Sequence, residues 1–292
     1  MSVIDSHLHV WDLARAEYPW LTAQLAPIDR TLEVADAAPR LEALGVERAV
    51  LVQAADNDQD TEHMMDVAAA DARVAGVVVW VPLDSPEQAV HRLAALAARG
   101  PVVGVRALIH DMADPDWIVS PAVTDGLAAV ADAGLAFDFV CADPQALRHV
   151  PVLAQRDPDL AIVIDHLGKP PVGGASGDRE PATFAQWMDL LADATASAQV
   201  SAKLSGLYRD GLPEPRAVTA VVEAALDIVG PQRLMIGSDW PICELSGGLE
   251  RAWGLTTAAL ASLTDHDRDL VMGVTATRVY GLSPTTSKGD ST

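Results

Sequence analysis

A chain of 292 residues, half of them hydrophobic, can bury a substantial core, which excludes a disordered polypeptide and a small disulfide-stapled scaffold. Forty-one acidic against 20 basic side chains leave a net charge of −21. Such a surface repels phosphate backbones, so no nucleic-acid partner is expected, and any anionic substrate depends on locally placed Arg or Lys.

The chain enters VIDSHLHV without a basic n-region or a cleavage site. Its longest apolar stretch, Val74 to Leu83, is well short of the roughly 20 residues that span a bilayer. The expectation is a cytoplasmic protein with no membrane partner. Cys141 and Cys243 are too few for a disulfide framework and read as reduced, packed thiols.

In chain order, short β-branched runs near 2–9, 47–54, 73–82, 101–108, 134–140, 159–166, 199–205 and 232–239 predict eight strands. Between them, helical spacing covers 32–44, 61–72, 86–99, 121–133, 144–156, 183–197, 214–229 and 248–280, the last as two helices. Ser85-Pro86, Ser120-Pro121 and Asp143-Pro144 pair a capping side chain with proline at the first helical position. Eight strand-helix units of about 36 residues each fit a (β/α)8 barrel in one domain over 1–282, with a disordered tail at 283–292. An open doubly wound sheet would carry a Gly-rich phosphate turn after the first strand, where DSHLHVWD stands instead. The irregular segments 10–31, 55–60, 109–120, 168–181 and 240–248 each follow a strand, so they would gather at the barrel's C-terminal face.

Residues two apart on a strand share a face. This phase groups Asp5, His7 and His9; Gln53 with Ala49 and Leu51; Arg106 with Gly104; and Asp138 with Ala136. It also groups His166 with Ile162 and Ile164, Lys203 and Ser205 with Ser201, and Asp239 with Met235. The alternate phase, including Val50, Val52, Val103, Val105, Phe137, Phe139, Ala202 and Leu204, is apolar and is expected beneath the helices. Polar groups from seven strands would thus meet at one mouth, where each unsatisfied one would cost roughly 1–3 kcal/mol. Joint function explains them better than seven separate burials. His63, His91, His149 and His266 fall on helices and are expected to be exposed, whereas His110 sits in the loop after strand four.

The H-x-H of His7 and His9 suits one metal ion or one substrate oxygen, and His166 and Asp239 complete a set fit for hydrolysis. The segments IDSHLHVWD, VQA, GVRAL, DHLGKP, KLSGL and IGSDWP, within a match running from Ile4 to about Tyr280, resemble the amidohydrolase superfamily. The likeness is to its lactonase branch of sugar-lactone and pyrone-dicarboxylate hydrolases. That resemblance implies a distorted (β/α)8 barrel with a reaction centre at His7, His9, His166 and Asp239. Metal-dependent members add a strand-five histidine and often a strand-four Lys or Glu bridge; here Asp138 and Arg106 stand at those positions. The cationic Arg106 disfavours a metal pair, so the expectation is no required metal or one divalent ion, such as zinc, on His7, His9 and Asp239.

The expected reaction is opening of a lactone ring. Asp239 acts as base toward water, while His166 and Arg106 stabilise the oxyanion. Trp11, Trp20, Trp80 and Trp240 could stack on a sugar ring. Gln53, Lys203 and Ser205 would bond hydroxyls, with Lys169 a further binding candidate. A dicarboxylate would need several arginines, and Arg106 is the one placed inward, so a sugar-acid lactone is preferred. A metal-dependent decarboxylase and a non-catalytic sugar-acid binder are the rivals. Homo-oligomerisation stays open.

Overall fold

The computed structural model describes residues 2–172, 183–208 and 214–283. Eight parallel strands run in sequence order: β1 Ile4–Leu8, β2 Arg48–Val52, β3 Val74–Val79, β4 Val102–Ala107, β5 Ala136–Phe139, β6 Ala161–Ile164, β7 Val200–Leu204 and β8 Leu234–Ile236. Helices α1 Val34–Ala43, α2 Asp58–Ala70, α3 Pro86–Ala97, α4 Pro121–Asp132, α5 His149–Arg156, α6 Phe184–Ala194, α7 Pro215–Val229 and α8 Leu249–Ala259 follow the strands in turn. The chain ends in α9 Asp265–Asp269 and α10 Thr275–Val279, joined by a π-turn at Leu270–Val274. Proline opens α3, α4 and α7, where its missing N–H has no helical partner to lose. The helix expected over 144–156 divides into a 3-10 turn, Pro144–Arg148, whose start Asp143 caps by accepting from the Gln145 N–H at 2.9 Å, and α5. Among the described residues no helix is long and apolar enough to cross a membrane. The expected tail beyond Ser283 and the loop residues 173–182 lie outside the described residues.

Two apolar layers form. Leu51, Val77, Val105, Phe137, Phe139, Ile162, Ile164 and Leu204 pack outward against Leu93, Leu127, Leu153, Trp187 and Val222 of the helices. Inside the ring, Ile4, Val50, Val52, Val78, Val103, Ala136, Val163 and Met235 meet Ala276, Tyr280 and Leu282, so the C-terminal segment plugs the lumen from below. This corrects the strand phase in three places. In β2 the lumen takes Val50 and Val52 rather than Ala49 and Leu51, in β6 it takes Val163 rather than Ile162 and Ile164, and in β4 Val103 turns inward. Two-residue alternation assumes an unbroken pleat, whereas the β1/β2, β2/β3 and β3/β4 pairings each contain a register shift; β6 has none, and its expected phase counts from His166, which lies beyond the strand end in a positive-φ conformation.

Two histidines expected at the surface are buried, because the helix faces carrying them turn toward neighbouring loops. His63, only 2% exposed, accepts from Arg15 Nη1 through Nδ1 at 3.3 Å, and His149, 4% exposed, donates from Nε2 to the Pro115 carbonyl at 3.1 Å. His91 and His266 are exposed.

Gly126 of α4 lies against the β3–α3 loop so closely that a Cβ would sit 2.1 Å from the Leu83 carbonyl oxygen. Gly126→Ala should therefore push the helix off the barrel and destabilise the fold by about 3 kcal/mol, read from urea unfolding. A second test concerns Asp56, which ties the β2 loop to the β4 loop by accepting from Leu108 N at 3.0 and 3.1 Å. Burial pushes its carboxyl up to about 6. The folded state then holds the proton more strongly than the unfolded chain, where the value is about 3.9, so stability is lost as pH rises through that window. Asp56→Asn should gain roughly 1–2 kcal/mol on the parent between pH 5 and 7.5, measured by unfolding at each pH.

Candidate active site

The ring closes where the polar residues concentrate. Beyond β8, Asp239 N donates to the His7 carbonyl at 2.9 Å and His9 N donates to the Trp240 carbonyl at 2.7 Å. Asp5 braces the same seam, accepting from His7 N at 3.1 Å and Ser238 N at 2.9 Å. His9 donates from Nδ1 to the Val52 carbonyl at 2.7 Å, which leaves the Nε2 lone pair facing inward. His7 Nε2 lies 3.1 Å from His9 Nε2, and Asp239 Oδ1 lies 3.6 and 3.4 Å from those two nitrogens. Asp239 adopts φ 56°, and the Tyr208 hydroxyl donates to its Oδ2, which reserves Oδ1 for the imidazoles.

The end of β6 supplies the remaining polar groups by leaving the strand geometry altogether. Residues 166–169 all have positive φ: His166 54°, Leu167 52°, Gly168 68° and Lys169 59°. For the non-glycine members this left-handed turn costs roughly 1–2 kcal/mol each. Its compensation is local. Lys169 N donates to the His166 carbonyl at 2.9 Å, Trp187 Nε1 donates to the Leu167 carbonyl at 2.8 Å, and Leu147 occupies the space a Gly168 Cβ would need. The turn swings His166 inward although its strand phase points to the helices, and it brings Lys169 to the same cavity. His166 Nδ1 bonds Ser205 Oγ at 2.9 Å, and its ring centre is 4.6 Å from that of His7. Gly206 is required beside it, since a Cβ there would come within 2.5 Å of His166 Nδ1 and 2.9 Å of Asp239 Oδ2.

Beneath His7 lies a buried network of two acids and two cations. Lys203 Nζ reaches Asp138 Oδ2 at 2.5 Å, Asp165 Oδ1 at 3.0 Å and His7 Nδ1 at 3.1 Å. Arg106 donates to Asp165 Oδ2 at 2.9 Å and to the Gln53 carbonyl at 2.6 Å, and the Tyr280 hydroxyl donates to Asp138. Asp165, Tyr208 and Tyr280 were not singled out from the sequence. Asp165 continues the inward phase of Val163, a signal hidden by the stronger one of its neighbour His166.

Electrostatics separates protonation states at neutral pH. Burial drives His7 well below its ordinary value and His166 down to about 3, so both imidazoles are neutral. For Asp239, burial pushes upward, but the neighbouring His166, His9 and His7 side chains and Lys169 outweigh it and hold the carboxyl well below the usual range. Imidazoles beside an ionised carboxylate form a cation-binding donor set, and His7, His9 and Asp239 converge as one. Their spacings of 3.1, 3.4 and 3.6 Å fit the donor–donor edge of about 3.4 Å expected around a tetrahedral ion with 2.0–2.1 Å bonds. Lys203 and Arg106 crowd the neighbouring His7–Asp165–His166 group with positive charge, which opposes a second ion.

The cavity above has a volume of about 210 Å³. His9, Arg106, His166, Lys169 and Asp239 form its polar floor, Trp20, Leu108, Val140 and Ile242 its apolar walls, and His110 and Asp111 its rim. Of the eight residues expected to contact substrate, Lys169 and Trp20 line this cavity, while Trp11 is buried behind Trp20. Gln53, Lys203 and Ser205 are buried beneath it in hydrogen bonds to protein, and Trp240 is buried in the closing seam. Trp80 leaves β3 on a half-buried path, its N–H bonded to Thr61 Oγ1 at 3.1 Å. The tryptophan that reaches the cavity is Trp20, held by Nε1–H to the Ala54 carbonyl at 2.7 Å and by edge contact with Trp11 at 5.4 Å.

Known proteins are similar to this chain in sequence and fold. An L-fucono-1,5-lactonase of Burkholderia ambifaria is 38% identical over 249 residues, covering 84% of this chain and 82% of its own. A second L-fucono-1,5-lactonase, of Burkholderia multivorans, is 33% identical over 289 residues and 96% of each chain. The crystal structure of a Burkholderia multivorans amidohydrolase with bound zinc superposes with a TM-score of 0.85 at 30% identity, over 97% of this chain and 100% of that one. With the amidohydrolase family model matching residues 4–282 as well, the barrel and its seam of histidines and aspartate place this chain in the amidohydrolase family.

Proposed function

We propose that this amidohydrolase hydrolyses a sugar-acid lactone of the L-fucono-1,5-lactone type. The observation that carries the reading is the ionised Asp239 carboxylate held against the imidazoles of His7 and His9 on the floor of a cavity sized for one monosaccharide ring. The similarity to two L-fucono-1,5-lactonases supports the same substrate class. Arg106 is the one arginine among the described cavity-lining residues, and its guanidinium is occupied by Asp165 and Gln53. A dicarboxylate would therefore lack a bidentate partner, whereas a neutral lactone needs none.

The ring lies with its apolar face toward Trp20 and Leu108 and its carbonyl over the floor. Asp239 Oδ1 accepts a proton from a water that attacks the carbonyl carbon, and the developing negative oxygen is met by His166 and Lys169, with Arg106 adding field from below. Collapse breaks the bond to the ring oxygen, which takes the proton back from Asp239 and leaves as a hydroxyl, giving the open sugar acid. His7, His9 and Asp239 would hold a single divalent ion. When bound, such an ion acidifies water and polarises the carbonyl. An alkoxide departs more readily than an amine, so this modest apparatus suffices for an ester ring.

A panel of aldonolactones and pyrone acids, followed by proton release at constant pH, tests the reading. Turnover is expected with a six-membered deoxysugar lactone and none with the pyrone acids. Asp239→Asn should lower kcat/KM by about 10³-fold or more in protein that stays folded at the assay temperature, though with a lowered melting temperature because the ionised carboxylate stabilises the fold; a loss under tenfold would remove Asp239 from the chemistry. In zinc titrations the parent should take up no more than one equivalent, and His9→Ala none; two equivalents would contradict the single-ion site.

A further inference from the structure

We infer that Lys203 sets how tightly the His7–His9–Asp239 site holds a divalent ion, by contesting the Nδ1 atom of His7. The inference rests on the single-ion reading above. Lys203 is fully buried, with Asp138, Asp165 and His7 around its ammonium at 2.5, 3.0 and 3.1 Å and the Tyr280 ring centre 5.5 Å away. It does not line the cavity above the site. Its ammonium lies 3.1 Å from Nδ1 on the side of the His7 ring opposite Nε2, the atom that would hold the ion, so like charges would face each other across one imidazole in a water-poor interior.

Hydrogen-bond logic adds a second effect. His9 must carry its proton on Nδ1, bonded to the Val52 carbonyl, so it offers a lone pair at Nε2. His7 Nε2 faces that lone pair at 3.1 Å. Two lone pairs cannot share such a contact, so a proton on His7 Nε2 or a cation must mediate it. Lys203 donating to His7 Nδ1 puts the imidazole proton on Nε2 and closes an N–H···N bond to His9 with no ion needed. Arg106, with Nη1 3.5 Å from His7 Nε2 and only protons to give, favours the opposite tautomer, and so does Asp165. Its Oδ1 lies 3.2 Å from His7 Nδ1 but makes no well-directed hydrogen bond, a buried acceptor ready for an Nδ1 proton. Ion binding at His7 Nε2 requires that second tautomer. It must therefore break both the Lys203–His7 and the His7–His9 bonds, and Lys203 is a positioning residue that biases His7 toward the ion-free form.

The test uses the full-length protein stripped of metal, with zinc as the probe and a chromophoric chelator as competitor. Lys203→Met should tighten the zinc Kd at least tenfold. The charge-balanced variant Lys203→Met with Asp138→Asn, which removes one buried cation and one buried acid together, should tighten it at least threefold. Nitrogen-15 NMR of histidine in the ion-free parent should show His7 protonated at Nε2, a readout that needs no variant to fold. Zinc affinity equal to the parent in both variants, or an ion-free His7 protonated at Nδ1, overturns the inference. Retention of parent zinc affinity by His9→Ala would instead overturn the single-ion reading on which it rests.

Discussion

The hydrogen bonds that close the barrel are made by the residues that build the site. Asp239 N to His7 O and His9 N to Trp240 O are the seam between the first strand and the end of the last, so the positions of both imidazoles and the carboxylate are set by ring closure itself. A loop-borne constellation would carry the entropy of its loop; here the three side chains inherit the rigidity of a parallel sheet. Asp5 strengthens the arrangement by accepting one N–H from each side of the seam, and its buried carboxyl, raised to about 6, reflects the desolvation that this bracing role imposes.

Below the seam, charge is balanced before any ion or substrate is considered. Asp138 and Asp165 face Lys203 and Arg106, with distances of 2.5 to 3.0 Å across the ion pairs. Removing one member would strand an uncompensated buried charge at a cost of about 3–5 kcal/mol, which makes the four residues a unit. Tyr280 extends that unit to the C-terminal segment, whose apolar neighbours Ala276 and Leu282 fill the bottom of the lumen. The polar network thereby links the plug at one end of the barrel to the imidazoles at the other.

Strain is concentrated at the same end as the chemistry. The left-handed turn at residues 166–169 and the positive φ of Asp239 together put four non-glycine residues in a conformation that L-amino acids avoid. The fold sustains them through Trp187, Leu147 and the closing hydrogen bonds, and in return the turn places His166 and Lys169 on one cavity floor.

Much of this protein was determined by its sequence alone. Alternating β-branched and helix-forming segments, with prolines at helix starts, specify eight strand-helix units, and the short motifs around His7, His9, His166 and Asp239 mark the site, because propensity and capping act over a few residues. What those side chains face was decided by tertiary structure. Register shifts among the first four strands and the left-handed turn after β6 break the two-residue alternation, so Val50 turns into the lumen against its expected phase, and His166 reaches the site although Ile162 and Ile164, expected to share its face, point to the helices. Gln53, Lys203 and Ser205 have the chemistry of sugar ligands but are satisfied by partners 53, 65 and 39 residues away in the chain, and only the folded ring brings such partners within hydrogen-bond range.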